Sequence, residues 1–252
     1  VQATVAGNVE LALASGATLA FAAKGAPLKA VAALSGPPMI LVLVVRPDNS
    51  VPAIDALRGR AAAVSNLGSL TDWAVSQIAI SKGWDPAEIK RVAVGDTPAR
   101  VAALRIGNVD AAVIDIAEAL DLQERGQVKI LVNFGDLIKT FQNQVIYASD
   151  KTIAEKPDAV RRFVKGWFET VGYARKNKAE TVAFACDILG VRNSVGAEVY
   201  DQLMLSNFFS PDGVIVPSTL QAMSKSFVEL KLLPAEEDLS RFVTSRFLPA
   251  KN

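Results

Sequence analysis

A chain of 252 residues, half of them hydrophobic, can bury a full core as one large domain or as two lobes. Its 27 basic and 26 acidic residues are spread along the chain with no basic block or aromatic–basic interleaving, which argues against a nucleic-acid partner. There is no histidine and a single cysteine, so Ser-His-Asp and Cys-His catalysis, imidazole metal sites and an intrachain disulfide are excluded.

The first ten residues read as a final helical turn closed by Gly7, which suggests that an N-terminal piece precedes this chain. A strand over 11–14 ends in Ser15-Gly16, a helix over 17–24 stops at Gly25, and a strand over 28–34 runs into Ser35-Gly36. Pro37-Pro38 and the apolar run 39–45 form an extended crossing. That run is far too short to span a bilayer and reads as a buried strand. After a polar turn over 46–50 and a short helix over 52–58, an apolar strand at 61–64 feeds the turn Ser65-Asn66-Leu67-Gly68-Ser69.

A helix follows that turn, marked by Trp73, Ile78, Ala79 and Trp84 and capped by Ser69 or Thr71, with Asp72 in its first turn. Ser65, Asn66 and Ser69 offer hydroxyl and amide groups, and Gly68 allows close backbone approach. The free N–H groups at the helix start suit an anionic or strongly electronegative group. The plain alternative is a capped strand-to-helix connection. A turn or short helix at Asp85-Pro86 and a strand over 91–94 come next. Then Thr97 caps a helix with Pro98 in its first position, Asp96 is a turn residue, and Arg100 reads as a helix-surface residue, with reach to an anion as the alternative.

Gly107-Asn108-Val109-Asp110 repeats Gly7-Asn8-Val9-Glu10 one hundred residues later. Both tetrapeptides sit between a helix and a strand. In the second copy the strand covers 111–114, the helix 115–125 with Gly126 as its stop, and the next strand 128–133. Two lobes of like topology follow from the repeat. A second crossing at 144–148 suits a two-strand hinge. The expected lobes are 1–44 with 145–252, and 45–144.

From Lys156-Pro157 onward the pattern is helical. Val160, Phe163, Val164, Trp167 and Val171 mark one buried face, and further helices cover 179–189, 195–208, 218–232 and 236–247. Cys186, inside one of them, reads as a buried, inert thiol. The fold class is therefore α/β, each lobe a mainly parallel sheet flanked by helices.

In such sheets ligands bind beyond the carboxyl ends of strands. Ser15-Gly16, Ser35-Gly36, the turn from Ser65 to Ser69, and Asp115 occupy those ends. If the lobes face one another, these loops meet across a cleft. Most are small and polar, which suits binding rather than catalysis.

The segment Ala-x-x-x-Gly-x-Val-Asp/Glu before a strand, the polar turn Ser65–Ser69, Gly95-Asp96-Thr97-Pro98-Ala99 and the helical C-terminal part resemble type II solute-binding proteins of ABC importers. Within these, the resemblance is to the branch covering sulfonates, taurine, nitrate and the thiamine pyrimidine precursor. It implies a two-lobed periplasmic-binding-protein type II fold that closes on a small polar or anionic organic solute and delivers it to a membrane permease. It also implies an exported, periplasmic protein, soluble or lipid-anchored. The expectation is a monomer that is not an enzyme and uses no cofactor and no metal. Carried over by position, Ser15, Gly16 and Ser35 are ligand-binding residues of one lobe, and Ser65, Asn66, Gly68 and Ser69 of the other. Asp115 departs from the neutral residue common there. It either favours a ligand with a donor or cationic group, or caps its own helix. The rival readings are an enzyme on the same fold (a pyrimidine-precursor synthase, whose histidine chemistry this chain lacks, or a carboxylate-based lyase) and a sensory ligand-binding module.

Overall fold

The computed structural model describes residues 1–37 and 39–249, so Pro38 of the expected first crossing lies outside the described residues. In chain order the strands are β1 Leu11–Ala14, β2 Leu28–Ser35, β3 Leu41–Val45, β4 Ala61–Val64, β5 Lys90–Ala93, β6 Ala111–Asp115, β7 Lys129–Asn133 and β8 Gln144–Ser149. The helices are α1 Gln2–Val5, α2 Leu19–Ala23, α3 Leu70–Ser81, α4 Thr97–Arg105, α5 Ile116–Glu124, α6 Phe134–Leu137, α7 Asp150–Glu155, α8 Pro157–Lys176, α9 Lys178–Leu189, α10 Asn193–Leu205 and α11 Pro217–Glu229. The contacts divide the chain into two compact units. One holds 1–37, 140–177 and 203–252, the other 38–139 and 178–202.

In the first unit β8 lies between β1 and β2 and is antiparallel to both. The apolar stripe of α8 packs Val160 and Val164 against Val31 and Leu34 of β2 and Ile146 and Ala148 of β8. Full burial of one such side chain contributes about 1.5–3 kcal/mol, far more than helix propensity does, so this face fixes α8 in place. Phe163, expected on the stripe, is 41% exposed. The expected helix over 236–247 is also absent. A 3-10 turn, Leu239–Phe242, is started by the Asp238 carboxylate accepting from Ser240 N (3.0 Å). Thr244 N then donates to Ala30 O (2.9 Å) at the edge of β2, a bond that a continuing helix would forfeit.

In the second unit the order is β5-β4-β6-β3-β7. β4 is parallel to β5 and β6, as expected for strands joined through α3 and α4, whereas β3 is antiparallel to both β6 and β7. "Mainly parallel" therefore fails for both sheets: the first is antiparallel throughout and the second is mixed. In each, a single returning strand, β8 or β3, is inserted between two strands running the other way. The expected first lobe includes 39–44 and 178–202. By contacts both group with the second unit, because β3 is an interior strand there and 178–202 is tied to α5. Arg192 donates from Nε to Asp121 Oδ1 (2.8 Å) and pairs with Glu124, and Val199 packs on the second core.

The internal repeat has a matching backbone. Gly7 and Gly107 both adopt left-handed geometry, φ +78° and +79°, and Asn8 N and Asn108 N donate to Ala3 O (2.8 Å) and Ala103 O (3.0 Å). A residue with a Cβ is strained at that φ, so glycine marks both helix stops. No helix among the described residues is long and apolar enough to cross a membrane.

Candidate ligand-binding site

Three stretches of the first unit come together at the carboxyl ends of β1 and β2. Ser15-Gly16 follows β1, Ser35-Gly36 closes β2, and Gln142-Asn143 leads into β8. Backbone bonds lock them: Gly16 N donates to Gln142 O (3.0 Å), and Asn143 N donates to Ser35 O (3.1 Å) and Gly36 O (2.9 Å). Beneath them Tyr147 Oη donates to Ser15 O (3.0 Å), and burial pushes that phenol well above its usual pKa range, so it stays a neutral donor. The joint is tight. A Cβ on Gly16 would stand 2.4 Å from Gln142 O and 2.9 Å from Met223 Cε.

The side chains at this joint are buried without partners. Ser35 Oγ, Gln142 Oε1 and both amide atoms of Asn143 lack a hydrogen bond among the described residues, although Ser35 is 2% and Asn143 0% exposed. Each such group costs about 1–3 kcal/mol when left unsatisfied. Four unused polar atoms in one joint are an arrangement that a bound polar molecule would repay.

The turn in the second unit is built differently. Ser69 is the N-cap of α3 and accepts from Asp72 N (3.3 Å), while Asp72 Oδ2 accepts from Gly68 N (2.8 Å) across a left-handed Gly68, φ +77°. Ser65 and Ser69 share hydrogen bonds with each other (3.0 Å) and with Thr71 Oγ1 (3.0 and 2.9 Å). Thr71 Oγ1 also accepts from Ser65 N (2.9 Å). These hydroxyls already partner one another. Asn66 reaches solvent at the tip of the turn.

Asp115 ends β6 and occupies the N-cap position of α5, yet its side chain makes no capping bond. Among the described residues no hydrogen bond joins it to the turn at Ser65–Ser69. The structure therefore sets the capping alternative aside. Crowding by protein raises its pKa above the ordinary aspartate value, and the charge of Arg100 opposes that rise. Glu118, one turn on, is raised by desolvation first and by Asp115 second. Asp115 still reaches solvent, so water screens much of this penalty.

Arg100 is not on the surface as expected. It is 5% exposed and donates from Nη1 to Gly95 O (2.7 Å) and from Nη2 to Thr97 Oγ1 (2.8 Å). Gly95 N in turn donates to Ser65 O (3.1 Å), so Arg100 braces the loop beside the Ser65 turn. The cap of α4 is Asp96, which accepts from Ala99 N (3.0 Å), rather than Thr97.

A raised folded pKa means that the folded state holds the Asp115 proton to higher pH than the unfolded chain does. The contribution of this group to stability is thus greatest at low pH and falls as pH climbs from the ordinary aspartate value through the raised one. By carboxyl NMR, Asp115 is expected to titrate above an unstructured aspartate, and higher still in Arg100→Gln. Titration at or below the ordinary value would contradict this electrostatic picture.

Ser15, Gly16 and Ser35, singled out in the sequence, stand at this joint; Gln142 and Asn143, which the sequence reading does not single out, stand beside them. Two neighbouring amide residues just before an apolar strand were the available signal. Among the described residues no cluster of three or more Cys, Asp or Glu is placed to hold a metal. Cys186 is buried against α10, where its thiol sits 3.6 Å from Arg192 O.

A family model described as NMT1/THI5 like matches residues 1–181. This chain belongs to the NMT1/THI5-like family. No curated protein matches it in sequence. Among solved structures, this NMT1/THI5-like chain is similar to the alkanesulfonate-binding protein SsuA of Xanthomonas axonopodis pv. citri bound to MOPS. The identity is 19% and the TM-score 0.79, with 97% of this chain and 83% of that one covered. It is also similar to the periplasmic aliphatic sulphonate binding protein SsuA of Escherichia coli, at 21% identity and TM-score 0.77, covering 100% and 80%. The desulfurization enzyme DSZB is a further match, at 16% identity and TM-score 0.63, covering 94% and 83%. At these identities the likeness establishes the fold, that of type II periplasmic solute-binding proteins, which binding proteins and an enzyme share.

Proposed function

We propose that this NMT1/THI5-like protein is the solute-binding component of an ABC importer. It works in the periplasm as a monomer, holds a small polar or anionic organic solute of the sulfonate type, and hands it to a membrane permease. The observation that carries this reading is the set of buried, unpartnered polar atoms on Ser35, Gln142 and Asn143, on a fold shared with two alkanesulfonate binders. In the proposal Ser15, Gly16 and Ser35 join those amides in one binding surface. Ser65, Asn66, Gly68, Ser69 and Asp115 supply a second, on the other unit. The groups at the first surface are hydroxyl and amide. They donate and accept hydrogen bonds without being nucleophile–base pairs, which favours holding a solute over converting it.

The test is a thermal-shift screen over sulfonates, nitrate, carboxylates and amines, with each solute analysed afterwards by NMR. A binder present at one hundred times its Kd stabilises the folded state by about 2.7 kcal/mol, so the melting point should rise by about 5–10 °C. The solute should be recovered unchanged. Appearance of a product would replace this reading with an enzyme, and no shift with any solute would remove it.

A further inference from the structure

The unpartnered atoms at the first-unit joint carry information about ligand chemistry. Ser35 Oγ can donate and accept, the Asn143 amide has two N–H donors and one carbonyl acceptor, and Gln142 presents Oε1, an acceptor. All are neutral. Two of the four atoms are carbonyl oxygens, which repel an anion at hydrogen-bond distance, and no lysine or arginine hydrogen bonds to any of them among the described residues. A sulfonate, carboxylate or nitrate group has only acceptors. It would leave Gln142 Oε1 and Asn143 Oδ1 buried and unsatisfied, and would place its charge against them.

Resting on the solute-binding reading above, we propose that this joint receives the uncharged end of the solute, a group carrying both a hydrogen-bond donor and an acceptor, such as a carboxamide. The donor of that group meets Gln142 Oε1 or Asn143 Oδ1, and its acceptor meets Asn143 Nδ2 or Ser35 Oγ. Discrimination of this kind is strong, because a ligand lacking the donor leaves the protein acceptors unpaired. The acceptable solutes are then bifunctional, and a plain alkanesulfonate is a poor one.

Calorimetric titration of the whole chain with three sulfonates separates the cases. Ethanesulfonate has no uncharged polar end, isethionate adds a hydroxyl, and N-acetyltaurine adds a secondary amide. Affinity should rise in that order, with N-acetyltaurine at least about tenfold tighter than ethanesulfonate. In Ser35→Ala and Asn143→Leu the preference for N-acetyltaurine over ethanesulfonate should shrink to about threefold or less. Ser35→Ala is nearly isosteric, so it reads the site even if Asn143→Leu fails to fold. Equal wild-type affinity for all three solutes would overturn the inference and leave solute binding standing, as would a preference that the variants leave unchanged. Joint atoms satisfied by water alone would give that result. No binding of any of the three would overturn both.

Discussion

Ser35→Ala should make the ligand-free protein more stable and the solute-bound protein less so. Ser35 is the last residue of β2, and its hydroxyl is buried without a partner among the described residues. A hydroxyl in that position has lost its water and gained nothing. Alanine removes the oxygen and changes little else in volume. The expected gain in the absence of solute is about 1 kcal/mol, at the lower end of the cost of an unsatisfied buried group. With solute bound, the wild type makes a hydrogen bond that the variant cannot, so the variant should lose about tenfold in affinity. Urea denaturation with and without saturating solute reads both effects. The two stability orders should be opposite. A ligand-free variant less stable than wild type would mean that the Ser35 hydroxyl is already satisfied, and the basis for a binding role at this position would go.

Gly16→Ala should be the most damaging single-methyl change near the joint. The added Cβ would sit 2.4 Å from Gln142 O and 3.1 Å from Gln142 Cβ. The first of these is backbone, and it is the oxygen that accepts from Gly16 N. No rotamer change relieves such a clash, so the backbone of Gln142 and Asn143 must move. Overpacking of this kind costs about 1–3 kcal/mol. Binding should fall by more than about tenfold, because the displaced residues carry the unpartnered groups. Gly36→Ala is the control: there a Cβ would meet only Phe208 O, at 3.9 Å, with no left-handed φ. It should melt within about 1 °C of wild type, which corresponds to an effect below about 0.5 kcal/mol. If Gly16→Ala melts with the control and binds normally, the joint is looser than its geometry implies.

Local features were readable from the residues themselves. Ser69 caps α3 because a short hydroxyl side chain precedes a helical pattern. The paired stops at Gly7 and Gly107 follow from a backbone conformation that glycine alone adopts cheaply. The apolar run at 41–45 was readable as a buried strand, but its direction and neighbours were not, because an unbroken apolar run has no face to orient it. Gln142 and Asn143 were out of reach for a related reason. They meet Ser15 and Ser35 only through the pairing of β8 with β1 and β2, more than a hundred residues away in the chain. Arg100 follows the same rule: its guanidinium turns back onto Gly95 and Thr97, a choice made by packing rather than by helical period.

Asp115 shows where a positional carry-over stops. The residue does stand at the end of a strand and the start of a helix, as the repeat implied. Its carboxylate nevertheless neither caps α5 nor bonds to the Ser65 turn. Its environment is set first by the surrounding protein, which desolvates it, and then by the opposing charge of Arg100.

The measurement that bears most directly on the central claim is a crystal structure of the protein with the solute that stabilises it most. Polar atoms of the solute should lie within hydrogen-bond distance of Ser35 Oγ and the Asn143 side-chain amide, filling the capacity that is unused without it. A solute bound elsewhere, with Ser35 and Asn143 paired only to water, would contradict the account.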